Sequence, residues 1–105
     1  MEIRKMLHIK TMLEEVEAAK AVGGIIVDVR SKGEYEDGHI PGSINIPVNT
    51  IHDIKQYIKS KDDLICLYCE SGIRANKAQG ILNAHEYHNV KVLGKIRDYK
   101  GELEE

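Results

Sequence analysis

The sequence predicts a single α/β domain, spanning residues 1–105, with a mainly parallel sheet covered by helices on both faces. Apolar, β-branched runs at residues 25–29 and 64–68 are typical of strands that are buried on both faces. Helical patterns separate these runs, and such alternation is typical of a parallel sheet. The chain of 105 residues, 42% of them hydrophobic, suits one domain, and no repeat or proline-rich linker divides it.

The first third of the chain predicts one helix between two strands. Thr11 and Glu14 have the spacing of a capping box, in which a threonine caps the helix and a glutamate follows three residues later. Gly23 and Gly24 then end the helical pattern. The predicted elements are a short strand at residues 6–9, a helix from residue 11 to about 21, and a strand at 25–29.

The rest of the chain predicts an irregular crossover followed by alternating helices and strands. Residues 30–47 mix charges, glycines and both prolines, which indicates a crossover with a helical turn near Glu34. Isoleucines three and four residues apart predict the next helix. The predicted elements are a strand at 44–46, a helix at about 49–59 capped by Asn49 or Thr50, a strand at 64–68, a helix at 73–85, a strand at 90–93, and a terminal turn or helix at 96–103.

Composition and charge exclude several classes of function. The net charge of -2 provides no field that would attract nucleic acid. No apolar run approaches the length of a membrane span, and the first residues lead into an amphipathic stretch, so we expect a cytoplasmic protein without a membrane partner. We also expect a monomer. Cys66 and Cys69 lie too close on one strand to join distant parts of a fold, which predicts free thiols.

Cys69 lies where a buried strand meets the next helix, and this junction is the candidate site. Ligands of parallel sheets bind beyond the carboxyl ends of strands, and loop N–H groups with a helix N-terminus favour an anion there. A thiol at this point is stabilised as its thiolate. Gly72 permits a positive φ, Ser71 supplies a hydroxyl or caps the helix, and Arg74 adds a cation near the rim.

Two alternatives stay open for the cysteines on the residue pattern alone. A cysteine at the end of a buried strand, such as Cys69, is often a small inert hydrophobic residue. Cys66 lies on the same face of the predicted strand as Leu64 and Tyr68, which predicts a position in the core. The C-x-x-C spacing of Cys66 and Cys69 also permits a redox pair. Redox motifs place the first cysteine at a helix N-terminus, whereas Cys66 lies within the strand.

Three separated segments resemble the rhodanese family of sulfurtransferases, and together they cover most of residues 25–99. The loop Cys69-Glu70-Ser71-Gly72-Ile73-Arg74, with Ala75 and Lys77 after it, resembles the active-site loop of that family. The second segment is the stretch that contains Val27-Asp28-Val29-Arg30-Ser31, then Glu34-Tyr35, then Gly38-His39-Ile40-Pro41-Gly42-Ser43-Ile44-Asn45-Ile46-Pro47. The third segment is Val90-Lys91-Val92-Leu93-Gly94-Lys95-Ile96.

The resemblance implies a rhodanese-like three-layer fold, with a five-stranded mainly parallel sheet, and persulfide chemistry. By similarity, the Cys69 thiolate takes the outer sulfur of thiosulfate or another sulfane donor and passes it to a thiol, to cyanide or to a protein acceptor. No metal or organic cofactor is implied. The implied substrate-binding residues are Glu70, Ser71, Gly72, Ile73 and Arg74, and the implied structural residues are Asp28, Arg30, Glu34 and His39.

The chain departs from the pattern of the family at three positions. Lys95 replaces the second glycine after the last strand, and Tyr99 stands where tryptophan is frequent. Glu70 places a carboxylate beside the nucleophile, where like-charge repulsion opposes a dianion, so we expect thiosulfate to be a poor donor.

Two other functions are compatible with the same resemblance. Related phosphatases have five residues between cysteine and arginine, whereas four separate Cys69 from Arg74, and the shorter loop favours sulfur over phosphate. A non-catalytic domain that acts by protein interaction is the second alternative. The intact Cys69, Gly72 and Arg74 favour chemistry over that role.

Overall fold

The computed structural model describes residues 9–105, and four strands in that range form one parallel sheet. The strands are β1 (Ile25–Asp28), β2 (Ile44–Asn45), β3 (Ile65–Cys69) and β4 (Val90–Lys95), in the spatial order β2-β1-β3-β4. Every neighbouring pair is parallel, as the alternating pattern predicts. The predicted five-stranded sheet thus has four strands in the described part of the chain, and the strand predicted at residues 6–9 lies outside it except for Ile9, which is not in a strand.

Residues 9–105 form three α-helices, and two of these helices begin with a capping box. They are α1 (Met12–Ala21), α2 (Lys32–Asp37) and α3 (Ile73–Ala84). At α1 the Thr11 hydroxyl accepts the Glu14 N–H, and the Glu14 carboxylate accepts the Thr11 N–H, which confirms the predicted cap. Ser31 and Glu34 form the same reciprocal pair at α2, so the turn predicted near Glu34 is a complete short helix.

The helix predicted at residues 49–59 is a 3₁₀ helix with different bounds, Val48–Gln56. Pro47 precedes it, and no side chain caps it, so the predicted cap at Asn49 or Thr50 is wrong. The Thr50 hydroxyl donates to the Pro47 carbonyl at 3.0 Å and therefore does not accept an N–H of the helix. Proline fixes its own φ and starts the turn without a side-chain cap. A second 3₁₀ helix, Ile96–Asp98, is the only part of the predicted terminal segment that is helical.

Two buried layers confirm that helices cover both faces of the sheet. Because side chains alternate along a strand, β3 supplies both layers. Ile65, Leu67 and Cys69 pack with α3 and the first 3₁₀ helix, whereas Cys66 and Tyr68 pack with α1. Among residues 9–105, no helix combines the length and apolar character needed to cross a bilayer.

Candidate active site

The sulfur of Cys69 lies at the carboxyl end of β3, fully buried, under the first turn of α3. Its Sγ accepts the backbone N–H of Gly72 at 2.9 Å and that of Ala75 at 3.4 Å. Gly72 has a φ of 92°, in the left-handed region, and it stands at the N-cap of α3. This conformation turns the loop back over the sulfur, and a glycine adopts it without strain. Two N–H groups at a helix N-terminus therefore point at one buried thiol.

The side chains of the other loop residues lie at the rim of the site. The Ser71 hydroxyl accepts the Ile73 N–H at 3.4 Å, so it orders the loop itself. Ile73 is 73% exposed. The Glu70 side chain is 58% exposed, and its carboxylate lies 3.8 Å from Nη1 of Arg30. Both hydrogen bonds to Sγ, from Gly72 and Ala75, thus come from the backbone and not from these side chains.

Arg74, predicted as a cation at the rim, is bound by a carboxylate. Its two terminal nitrogens donate to the two oxygens of Glu34 at 2.7 and 2.9 Å. This bidentate pair, helped by hydrogen bonds from Ser31, lowers the pKa of Glu34 to about 2. The same hydrogen bonds raise the pKa of Arg74. The pair joins the loop to the start of α2, and the negative charge of Glu34 offsets the positive charge of the guanidinium.

Asp28 and Arg30 form a second, more deeply buried pair at the end of β1. Nε and Nη2 of Arg30 donate to the Asp28 carboxylate at distances between 2.7 and 3.1 Å, and Nη2 also donates to the Gly38 carbonyl at 2.6 Å. Burial lowers the pKa of Arg30, but the hydrogen bond and charge of Asp28 raise it above its ordinary value. The predicted structural cluster is thus two ion pairs, Asp28 with Arg30 and Glu34 with Arg74.

His39 lies in the crossover and contacts its neighbours there. Its Nδ1 is 2.8 Å from the Tyr35 carbonyl, and its ring stacks on the Tyr35 ring with centroids 3.7 Å apart. Its backbone forms an isolated bridge with Glu104. These contacts hold His39 against its neighbours within the crossover.

Tyr68, beside the nucleophile, is a supporting residue that the sequence predicts only as part of a buried strand. Its hydroxyl accepts the buried N–H of Ile40 at 3.0 Å and shares a hydrogen bond with the Ser43 hydroxyl at 3.1 Å. Burial raises the pKa of the Tyr68 hydroxyl. The signal was available, because a tyrosine in a fully buried strand needs a partner for its hydroxyl. Tyr68 therefore fixes the crossover against the sheet next to Cys69.

Cys66 lies on the opposite face of β3 from Cys69, in the layer under α1. Burial raises the pKa of the Cys66 thiol, which keeps it protonated and unreactive. A cavity of about 160 Å³ on that face is lined by Cys66, Leu64 and Leu93, among others, and Cys69 does not line it. A disulfide between the two thiols requires the end of β3 to unpair, so the geometry disfavours the redox alternative.

The comparisons with known proteins agree in family and differ in the activities of the relatives. Residues 9–100 match the family described as the rhodanese-like domain. The thiosulfate sulfurtransferase PspE of Escherichia coli strain K12 is 32% identical over 73 residues, which cover 69% of this chain and 70% of that protein. A solved structure described as a rhodanese with anions from E. coli has a TM-score of 0.74 and 28% identity, covering 78% of this chain and 98% of that one.

A second group of relatives consists of longer proteins. A tRNA uridine(34) hydroxylase of Erwinia tasmaniensis is 33% identical over 101 residues, which cover 90% of this chain and 27% of that protein. The chain thus spans about a quarter of the length of these relatives. A match of this extent supports a shared domain, and it does not carry the activity of the whole relative.

Proposed function

The chain belongs to the rhodanese-like domain family, and from this premise we propose that it transfers sulfane sulfur through a persulfide at Cys69. One observation carries the proposal most directly. The Cys69 sulfur accepts two N–H groups, from Gly72 and Ala75, at the N-terminus of a helix. Such donors stabilise a thiolate before transfer and a persulfide anion after it, without a metal or an organic cofactor.

The first half of the reaction loads the cysteine. The Cys69 thiolate attacks the outer sulfur of a sulfane donor such as thiosulfate, and a bond forms between the two sulfurs. The sulfur–sulfur bond of the donor breaks, and sulfite, or a thiolate from an organic persulfide, leaves with the bonding electrons. The product is Cys69 with one added sulfur, which carries the negative charge.

The second half unloads the sulfur. A thiolate or cyanide attacks the terminal sulfur, the bond to Sγ breaks, and the Cys69 thiolate is restored. The rim residues Glu70 and Ile73 are exposed, which leaves the rim of the site open to contact with another protein that carries the acceptor group. No net oxidation occurs over the cycle, because the sulfur moves between two nucleophiles.

Phosphate transfer is the weaker interpretation of the same loop. A phosphatase loop uses its arginine to bind the phosphate oxygens, but Arg74 holds both oxygens of Glu34. Turnover of an aryl phosphate that depends on Cys69 would contradict the assignment to sulfur.

Intact-protein mass spectrometry after exposure to a panel of sulfane donors tests the proposal. We expect the mass to rise by one sulfur atom and the added sulfur to be released by a thiol or by cyanide. The Cys69→Ser variant loses this addition, and the Cys66→Ser variant keeps it, because Cys66 lies on the other face of the sheet. Absence of the addition with every donor would overturn the proposal and favour a non-catalytic interaction domain.

A further inference from the structure

The end of β3 lies between two strands whose ends differ in charge. On one side is β1, followed by the buried pair of Asp28 and Arg30, with the Glu70 carboxylate 3.8 Å from that guanidinium. These three groups sum to one negative charge. On the other side is β4, where Lys95 is the register partner of Cys69.

Lys95 projects toward the same face of the sheet as Cys69. Neighbouring strands lie about 4.8 Å apart, and residues in register on parallel strands direct their side chains to the same face. Lys95 is half-buried, so its side chain lies against the protein. Within residues 9–105, that side chain makes no ion pair and no hydrogen bond. Its positive charge is therefore not neutralised by a described carboxylate.

The two arginines near the thiol do not provide such a charge. Arg74 is held by both oxygens of Glu34, and Arg30 is held by Asp28. The carboxylate partner offsets the charge that each arginine presents, although the charge of Arg74 still interacts with that of Cys69. Lys95 differs from both arginines, because no carboxylate within residues 9–105 binds it.

The other face of the sheet contains a matching arrangement of a lysine and a cysteine. Lys91 is the register partner of Cys66, as Lys95 is of Cys69. The positive charge of Lys91 opposes the rise that burial causes in the pKa of the Cys66 thiol. Each face of β3 thus has a lysine of β4 in register with its cysteine, Lys91 with Cys66 and Lys95 with Cys69.

We propose that Lys95 is the specificity-determining cation of the sulfur site, which draws anionic sulfur donors to Cys69 from the β4 side. The inference rests on the proposed sulfur transfer for its biological meaning. In the loading step, the ammonium attracts the anionic end of the donor and the departing sulfite, while the new bond forms at Sγ. Lys95 exchanges neither a proton nor electrons in this step.

A pair of alkylating reagents that differ in charge tests the inference without sulfur chemistry. In a Cys66→Ala chain, the rate of Cys69 alkylation by anionic iodoacetate is divided by the rate with neutral iodoacetamide. For an assumed separation of roughly 7 Å between the ammonium and the reagent anion, and an effective dielectric constant between about 40 and 80, one unit charge changes this ratio about three- to eightfold. We expect the ratio of the two alkylation rates to fall by this factor in Lys95→Gln, to return to its original value in Lys95→Arg, and to stay unchanged in Lys91→Gln, the matched control.

Three results would overturn the inference. They are an unchanged ratio in Lys95→Gln, an equal fall in Lys91→Gln, and a Cys69 that neither reagent reaches, since an anion then has no path to the sulfur. Circular dichroism of each variant verifies that the comparison is made between folded chains.

Sulfur loading separates this inference from the proposed function. With thiosulfate, we expect Lys95→Gln to raise the concentration needed for half-maximal loading, with the maximal rate preserved. If the ratio of alkylation rates falls in Lys95→Gln but no donor loads sulfur onto Cys69, the role of Lys95 as a cation is supported and the proposed sulfur transfer is rejected. Normal loading in Lys95→Gln together with an unchanged ratio would reject the cation alone.

Discussion

Replacing Glu34 with glutamine removes the carboxylate that binds Arg74, and its cost can be worked from the structure. The pKa of Glu34 is about 2, against an ordinary value of 4.5. At about 1.36 kcal/mol for each pKa unit, this corresponds to at most about 3.4 kcal/mol in favour of the charged carboxylate. Each of the two side chains is 34% exposed, and solvent screening reduces the figure to about 1–2 kcal/mol.

Urea unfolding at neutral pH measures this loss. We expect Glu34→Gln to lower the free energy of unfolding by about 1–2 kcal/mol. Glu36→Gln is the matched control, because Glu36 lies on the same short helix and is exposed. A double-mutant cycle with Arg74→Gln isolates the pair, since each single variant also changes other contacts. A coupling energy below about 0.3 kcal/mol would refute the reasoning.

The pH dependence of the same difference gives a second check on Glu34. Because its pKa is lower in the folded chain than in the unfolded chain, the pair contributes its full stability above pH 4.5. That contribution is lost as the pH falls from 4.5 toward about 2, where the folded carboxylate takes up a proton. The difference in the free energy of unfolding between the original chain and Glu34→Gln therefore becomes smaller across this range. A gap that stays constant with pH would contradict an electrostatic origin.

Two further substitutions test the backbone of the site and its support. Tyr68→Phe leaves the buried N–H of Ile40 without its acceptor and is expected to lower the free energy of unfolding by about 1–3 kcal/mol in urea, whereas an unchanged midpoint would contradict that role. The added methyl group of Gly72→Ala meets no atom within 4 Å, so only the left-handed backbone at this position is expected to lower the free energy of unfolding, by about 1–2 kcal/mol, and to slow sulfur loading. The control Gly80→Ala, inside α3, is expected to raise the free energy of unfolding by about 0.5–1 kcal/mol. Equal effects of the two alanines would refute this account.

Local sequence signals predicted most of the elements of the fold. The spacing of Thr11 and Glu14 was sufficient to place the start of α1, because a capping box involves only neighbouring residues. The identical spacing of Ser31 and Glu34 forms a second capping box, so the segment near Glu34 is a short helix and not only the predicted turn. The isoleucine periodicity before residue 59 did indicate a helix, but it does not distinguish a 3₁₀ helix that follows Pro47 from an α-helix.

The partners of the charged site residues could not be predicted in the same way, because they depend on contacts between distant segments. Glu34 and Arg74 are 40 residues apart, and Tyr68 and Ile40 are 28 apart. The resemblance placed Arg74 in the substrate loop and Glu34 in a structural cluster. The fold joins the two in one ion pair, and this pairing changes the charge that a substrate meets.

The preference for a donor thus depends on the order of the strands as well as on the loop sequence. From the sequence alone, Glu70 stands beside the nucleophile as an uncompensated negative charge. In the fold, its carboxylate lies near Arg30 on the β1 side, whereas Lys95 is the last residue of β4 on the other side of Cys69. Exchanging β1 and β4 around β3 would leave the loop unchanged and reverse the side from which an anion is attracted. Repulsion by Glu70 and attraction by Lys95 therefore act from opposite sides of Cys69, and a dianionic donor is expected to approach along β4.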